Sequence, residues 1–254
     1  MHESSDNIFD HPLISQRYFL PRAKAPTVSD VHVHVHHAQL HCASFEHDPD
    51  WPWVIYFHGN GEIVADSIPE HVAWFEGLGA NVFLATYRGY GGSSGTPKLA
   101  TMLDDVRAIS DACPAPTERQ IPFGRSVGSI YAIELAAVRP VAGLIIESGI
   151  SNVLQRILMR VKPQELGTTL EHLNATHAET FDHRSKLGAL QAPSLFLHAR
   201  GDSLVGSEHA VQNHQWAGSQ DKRLVLFERG DHNTIFAANA PAYTEAVREF
   251  LASL

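Results

Sequence analysis

The chain has 254 residues, 44 % of them hydrophobic and 19 % charged, with 18 Gly and 14 Pro. This composition predicts a soluble globular protein with a large core, and an α/β fold on one central sheet commonly reaches such a length as a single domain. The formal net charge of −9, without any cluster of Lys and Arg, argues against binding nucleic acid, because neutralising a phosphate backbone needs clustered cations. No apolar run approaches the roughly 20 residues that cross a bilayer, so no integral membrane association is expected. Met1–Asp10 has neither the basic start nor the apolar stretch of a secretory signal. Cys42 and Cys113 are too few for a disulfide framework and lie in no metal-ligand pattern. The expected setting is cytoplasmic.

After a polar leader, Val31–His36 alternates Val with His, the period of a half-exposed strand, and a second strand is predicted at Leu40–Phe45. Trp53–Phe57 is a continuous apolar run that breaks into His58-Gly59-Asn60-Gly61-Glu62, a buried strand ending in a loop. Further strands are predicted at Asn81–Tyr87, Ile121–Phe123, Gly143–Glu147, Ser194–His198 and Leu224–Glu228. Helical periodicity falls between them, at Ser67–Leu78, Thr101–Ala112, Val127–Val138, Glu208–Ala217 and Ala242–Leu254. Strand–helix alternation requires crossover connections. The prediction is therefore α/β, with a mainly parallel sheet of about eight strands covered by helices on both faces. Only the first two strands have a link short enough to be antiparallel.

The connection from Glu147 to Ser194 is longer than a normal crossover. It reads as an insertion at 150–190, with helices at Asn152–Lys162 and Pro163–His172. Two roles are open to it, a small lid or helices that complete the core, and amphipathic helices usually do the second.

The segment from Gln120 to Val138 is a short apolar strand, then Gly124-Arg125-Ser126-Val127-Gly128, then a clean helix. This is the setting of a nucleophile elbow, in which a tight strand–helix turn excludes side chains two before and two after the serine. Ser126 is thereby lifted clear of the sheet at a helix N-terminus, where free N–H groups favour developing negative charge. The same five-residue pattern recurs at Gly91-Gly92-Ser93-Ser94-Gly95. Ser93 lies several residues past its strand with no helix following, so that stretch reads as a Gly-rich loop.

A serine needs a base, and among seventeen histidines position decides. His232 follows the strand Leu224–Glu228 and precedes the last helix, at a strand C-terminal end, where catalytic groups of parallel sheets collect. His198 closes the preceding strand and reads as structural, as does His58. His172, His177 and His183 fall in the insertion, and His209 and His214 in a helix. The base needs a carboxylate to fix its tautomer. Asp202, three residues past Ala199 at another strand end, is best placed; Glu147 competes, and Asp231 adjoins His232 too closely to face it and suits a turn. For the tetrahedral oxyanion the backbone N–H of Val127 is one donor and that of Asn60, in the loop after an early strand, the other. Each such donor is typically worth ~3 kcal/mol in the transition state.

Together the elbow, the His58-Gly59 loop, the Tyr87–Gly95 loop, the Gly201-Asp202 turn and the Gly230-Asp231-His232 turn resemble the α/β-hydrolase family over most of the chain. The chain is similar in particular to its compact serine hydrolases, which include protein depalmitoylases and relatives of peptidase catalytic domains. The resemblance implies cofactor-free hydrolysis of an ester, thioester or amide of a small or acylated substrate through an acyl-enzyme. Unlike the depalmitoylases, the chain has no N-terminal cysteine cluster for lipid anchoring. Amide hydrolysis or acyl transfer on the same triad, and a non-catalytic binding protein with the same fold, are the competing expectations. His32, His34 and His36 share one strand face near Asp30, but without a thiol or a spaced carboxylate partner they read as a solvent-facing strand, and no metal is expected.

Overall fold

The computed structural model describes residues 7–28 and 30–254. It begins with a 3-10 turn at Ile8–Asp10 and a helix, α1 (Pro12–Tyr18), where the sequence predicted a polar leader. Residues 1–6 of that leader lie outside the described residues. The helix forms because Pro12 occupies its first turn, the His11 ring accepts from the N–H of Leu13, and Ile14 and Tyr18, one turn apart, bury with Phe9 and Phe19.

An antiparallel hairpin follows, β1 (Asp30–Val35) and β2 (Ala38–Phe45), then the fully buried β3 (Trp53–Phe57). Helices α2 (Val64–Ser67) and α3 (Glu70–Glu76) lead to β4 (Asn81–Ala85), and α4 (Thr101–Ala112) leads to β5 (Gln120–Arg125). Next come α5 (Gly128–Val138) and β6 (Leu144–Glu147), then the inserted helices α6 (Val153–Leu158), α7 (Leu170–Thr180) and α8 (His183–Ala189). The chain closes with β7 (Ser194–Ala199), α9 (Glu208–Trp216), β8 (Lys222–Phe227) and α10 (Ile235–Ala252).

The eight strands form one sheet in the order β1-β2-β4-β3-β5-β6-β7-β8. Pairing is parallel from β4 to β8, while β2 runs antiparallel to both β1 and β4. Side chains alternate between two cores, as the pleat demands. In β3, Trp53, Ile55 and Phe57 join the core under α4, α5 and the insertion, whereas Val54 and Tyr56 join the one under α3 and α10. Each fully buried side chain of this kind contributes roughly 1.5–3 kcal/mol. The register pairs Phe57 with Gly124 and Arg125 with Glu147, so β3, β5 and β6 end along one rim.

Several predicted helices differ in extent. Ser67–Leu78 is not one helix: Pro69 lacks an N–H and holds Ile68 extended, which separates α2 from α3. The last helix begins at Ile235 rather than Ala242 and bends at Asn239, two residues before Pro241. Pro163–His172 is not a helix but a 3-10 turn, Pro163–Leu166, ended by Gly167 at φ +65°. Thr169 then caps α7 by accepting from the N–H of His172. Between β6 and β7, Val153, Leu154, Ile157, Val161, Leu166 and Leu173 are all buried in the core that α4 and α5 cover. Among the described residues no helix is long and apolar enough to cross a membrane.

Candidate active site

Ser126 sits where β5 gives way to α5, with φ at +53°, a left-handed conformation that costs a non-glycine residue on the order of 1–3 kcal/mol. The surroundings enforce it. A Cβ on Gly124 would lie 2.6 Å from the Gly128 carbonyl oxygen and from Ser129 Cα, and one on Gly128 would lie 2.0 Å from the Phe57 carbonyl oxygen. The first glycine lets α5 fold back on β5, and the second lets α5 pass against β3. The N–H of Ser126 donates to the Glu147 carbonyl at 2.9 Å, which ties the turn to β6.

The loops after β7 and β8 bring the other two predicted groups to this serine. His232 Nε2 is 2.8 Å from Ser126 Oγ, and His232 Nδ1 is 2.7 Å from Asp202 Oδ2. All three side chains are buried. Asp202 Oδ1 accepts from the N–H groups of Leu204 and Val205 at 2.9 and 2.8 Å. Burial pushes the Asp202 carboxyl up, but hydrogen bonds to His198, His232 and the Val205 N–H outweigh it and hold the carboxyl below the usual carboxylate range. A charged acid behind the ring favours the tautomer with Nδ1–H toward Asp202 and Nε2 free to accept from the serine hydroxyl.

Glu147, the competing acid, is committed elsewhere. Its two oxygens accept from Arg125 Nε at 2.9 Å and from the Tyr243 hydroxyl at 2.5 Å. Arg125 also pairs with Glu62 and donates to the His232 carbonyl at 2.8 Å, so the residue before the serine braces the loop that carries the histidine. The sequence offered no sign of this, because the partners of Arg125 are far away in the chain. His198, read from the sequence as structural, reaches the site: its Nε2 is 3.2 Å from Asp202 Oδ2 and 2.7 Å from the Val205 carbonyl.

Asn60 and Val127 both line the cleft that holds Ser126 and His232, a space of about 260 Å³. The Asn60 side chain accepts from the Leu20 N–H and the Tyr90 hydroxyl and donates to the Tyr18 carbonyl, which fixes its loop against the end of α1. His58 is buried, with its ring nitrogens at the Gly59 carbonyl and Thr86 Oγ1, and burial lowers its pKa. Tyr18 and Leu20, from the stretch predicted as a leader, form part of the cleft wall. A second space of similar volume lies on the far side of Arg125, against Tyr56, Trp74, Phe236 and Tyr243, and touches none of Ser126, His232 and Asp202.

Of the histidines on β1, His32 and His34 are exposed, as the alternation predicts. The grouping with metal-ligand spacing among the described residues is a different one, Asp30, His32 and His41, whose donor atoms lie within 4.8 Å of one another. His32 and His41 face each other across the β1–β2 register. His34 and His36 take no part in it.

No protein-family model matches the chain. It is 27 % identical over 207 residues to the protein bem46 of Schizosaccharomyces pombe, which covers 79 % of this chain and 67 % of that protein. It is 25 % identical over 214 residues to the alpha/beta hydrolase domain-containing protein WAV2 of Arabidopsis thaliana, covering 79 % and 70 %. Among solved structures it is similar to the esterase Pf2001 of Pyrococcus furiosus, with a TM-score of 0.69 at 17 % identity over 92 % of this chain and 99 % of that one. Mouse alpha/beta hydrolase domain-containing protein 10 matches with a TM-score of 0.68 at 18 % identity, over 89 % and 99 %. At these identities the structural likenesses speak to the fold alone.

Proposed function

The chain belongs to the α/β-hydrolase fold family, and from that premise we propose that it is a serine hydrolase cleaving a carboxylic ester or thioester through an acyl-enzyme. The observation that carries this reading is the unbroken line of hydrogen bonds from Ser126 through His232 to Asp202, at 2.8 and 2.7 Å. In the first half-reaction the Ser126 hydroxyl adds to the acyl carbonyl as His232 Nε2 takes its proton. His232 then returns that proton to the leaving alcohol or thiol as the carbonyl re-forms. In the second half-reaction water takes the place of the serine hydroxyl, and the acid and free Ser126 are released. Asp202 remains ionised throughout and holds the imidazolium in place. The N–H groups of Val127 and Asn60 receive the oxyanion, each contributing ~3 kcal/mol. The cleft, about 260 Å³, suits a small acyl or leaving group.

The test is reaction of purified wild type and Ser126→Ala with a fluorophosphonate, followed by intact mass, beside hydrolysis of 4-nitrophenyl esters of increasing chain length. Wild type gains one adduct and Ser126→Ala none, and turnover falls by about 10⁴-fold or more in the variant. Equal labelling of both proteins, or none of either, would reject the reading.

A further inference from the structure

Two cations on the wall of the catalytic cleft have no part in the cycle above. Arg156 and Arg160, four residues apart at α6 and its exit, line the same cleft as Ser126 and His232, and among the described residues no carboxylate shares that lining. Among the described residues neither guanidinium makes an ion pair, whereas Arg125, also in the lining, is paired with both Glu62 and Glu147. The acid closest in sequence, Glu165, is already held by Arg17 and by the N–H of Lys162. Tyr18 stands on the same wall; burial pushes its phenol up to about 12 although both arginines act to lower it, so its hydroxyl stays protonated and able to donate. The wall that Arg156 and Arg160 form is therefore positive in a chain whose net charge is −9. Arginine is the side chain best matched to carboxylate and phosphate, and a partly enclosed cleft concentrates its field.

We propose that the substrate is an ester or thioester bearing an anionic group, a carboxylate or a phosphate, which Arg156 and Arg160 bind while Ser126 attacks the carbonyl. This rests on the serine hydrolase reading of the same cleft. The arginines act by recognising the anion and orienting the ester, so their effect falls on discrimination between substrates rather than on the chemical step.

The test uses two ester pairs that differ by an anionic group. 4-Nitrophenyl butyrate against mono-4-nitrophenyl glutarate places the anion on the acyl side, and 1-butyrylglycerol against 1-butyrylglycerol 3-phosphate places it on the leaving side. In wild type at least one pair favours its anionic member by about tenfold or more in kcat/KM, mainly through KM, and the preference shrinks at about 0.5 M NaCl. The responding pair identifies the side and the kind of anion. In Arg156→Ala/Arg160→Ala the ratio falls below about twofold, and lysine at both positions restores part of it. A wild-type ratio near one in both pairs overturns the proposal, as does a ratio that survives the double substitution in a protein of unchanged thermal unfolding. Calorimetry of the two anionic esters with Ser126→Ala, with and without the arginines, reads the same recognition without turnover. Anion binding that needs the arginines in a protein whose Ser126 never labels would sink the hydrolase reading and keep only the anion site; a labelled Ser126 with no anion preference would sink this proposal alone.

Discussion

The Gly-x-Ser-x-Gly pattern occurs twice, and glycine does opposite things in the two copies. At Gly124–Gly128 the serine takes the left-handed backbone and the glycines clear space for a helix to pass against two strands. At Gly91–Gly95 it is Gly91, Gly92 and Gly95 that have positive φ, at +56°, +82° and +79°. The serines there serve the backbone of β2: Ser93 Oγ accepts from the His41 N–H at 3.0 Å and Ser94 Oγ from the Gln39 N–H at 2.9 Å. β2 pairs with β4 only over Ala43–Phe45, so these hydroxyls satisfy donors that the ladder leaves open. A short motif thus specifies chemistry only through what the backbone before and after it must do.

The largest expected difference between the two copies concerns what faces the hydroxyl. Ser126 faces a histidine that Asp202 aims, and Asp202→Asn removes the acceptor that sets the tautomer. A fall of about 10⁴-fold in kcat/KM is expected, about 5 kcal/mol of transition-state stabilisation, with the fold retained on circular dichroism. Glu147→Gln provides the contrast. It weakens the bonds to Arg125 and Tyr243 and costs roughly 1–3 kcal/mol of stability, but the folded variant keeps kcat/KM within about tenfold. If Glu147→Gln abolished turnover while Asp202→Asn spared it, the acid would have been assigned to the wrong strand end.

The glycines give the next effect. A methyl group on Gly128 would meet the Phe57 carbonyl at 2.0 Å, with rigid backbone on both sides, so Gly128→Ala is expected to cost more than about 4 kcal/mol and to leave little folded protein in an expression and thermal-unfolding assay. Gly91→Ala meets nothing closer than 3.7 Å and pays only for its positive φ, ~1–2 kcal/mol. Similar losses for the two would mean that both turns depend on conformation alone.

This contrast also marks how far the sequence could be read. The elbow was legible because its requirements are local: an apolar strand, glycines two residues either side of the serine, and a helix that starts at once. His232 and Asp202 were legible as groups at strand C-terminal ends, since the alternation of strands and helices already implied a parallel sheet with one functional rim. The commitment of Glu147 to Arg125 and Tyr243 was not, because those bonds join residues 22 and 96 positions away. The same holds for Tyr18 and Leu20 in the cleft wall. Nothing near them in the chain announces a cavity, and Phe9, Ile14 and Tyr18 become a buried face only when the remainder of the sheet is there to cover. Pro69 and Pro241 were local signals, and each marks where a predicted helix boundary was misplaced.

The smallest effect is the sharpest check on the comparison. Ser93→Ala deletes the hydroxyl that accepts from the His41 N–H at a buried position and leaves a side chain shorter by that one oxygen atom. The cost is that of one unpaired donor, about 1–2 kcal/mol, read as a lower urea midpoint at unchanged m-value. Ester hydrolysis and fluorophosphonate labelling should match wild type, since no ring nitrogen stands at hydrogen-bonding distance from the Ser93 hydroxyl among the described residues and its bond is to backbone. Activity lost from a folded Ser93→Ala would assign chemistry to the loop and reduce the elbow at Ser126 to a tight turn. Stability lost with activity kept leaves the two copies apart, one serine held in a strained turn against His232 and the other holding a strand edge.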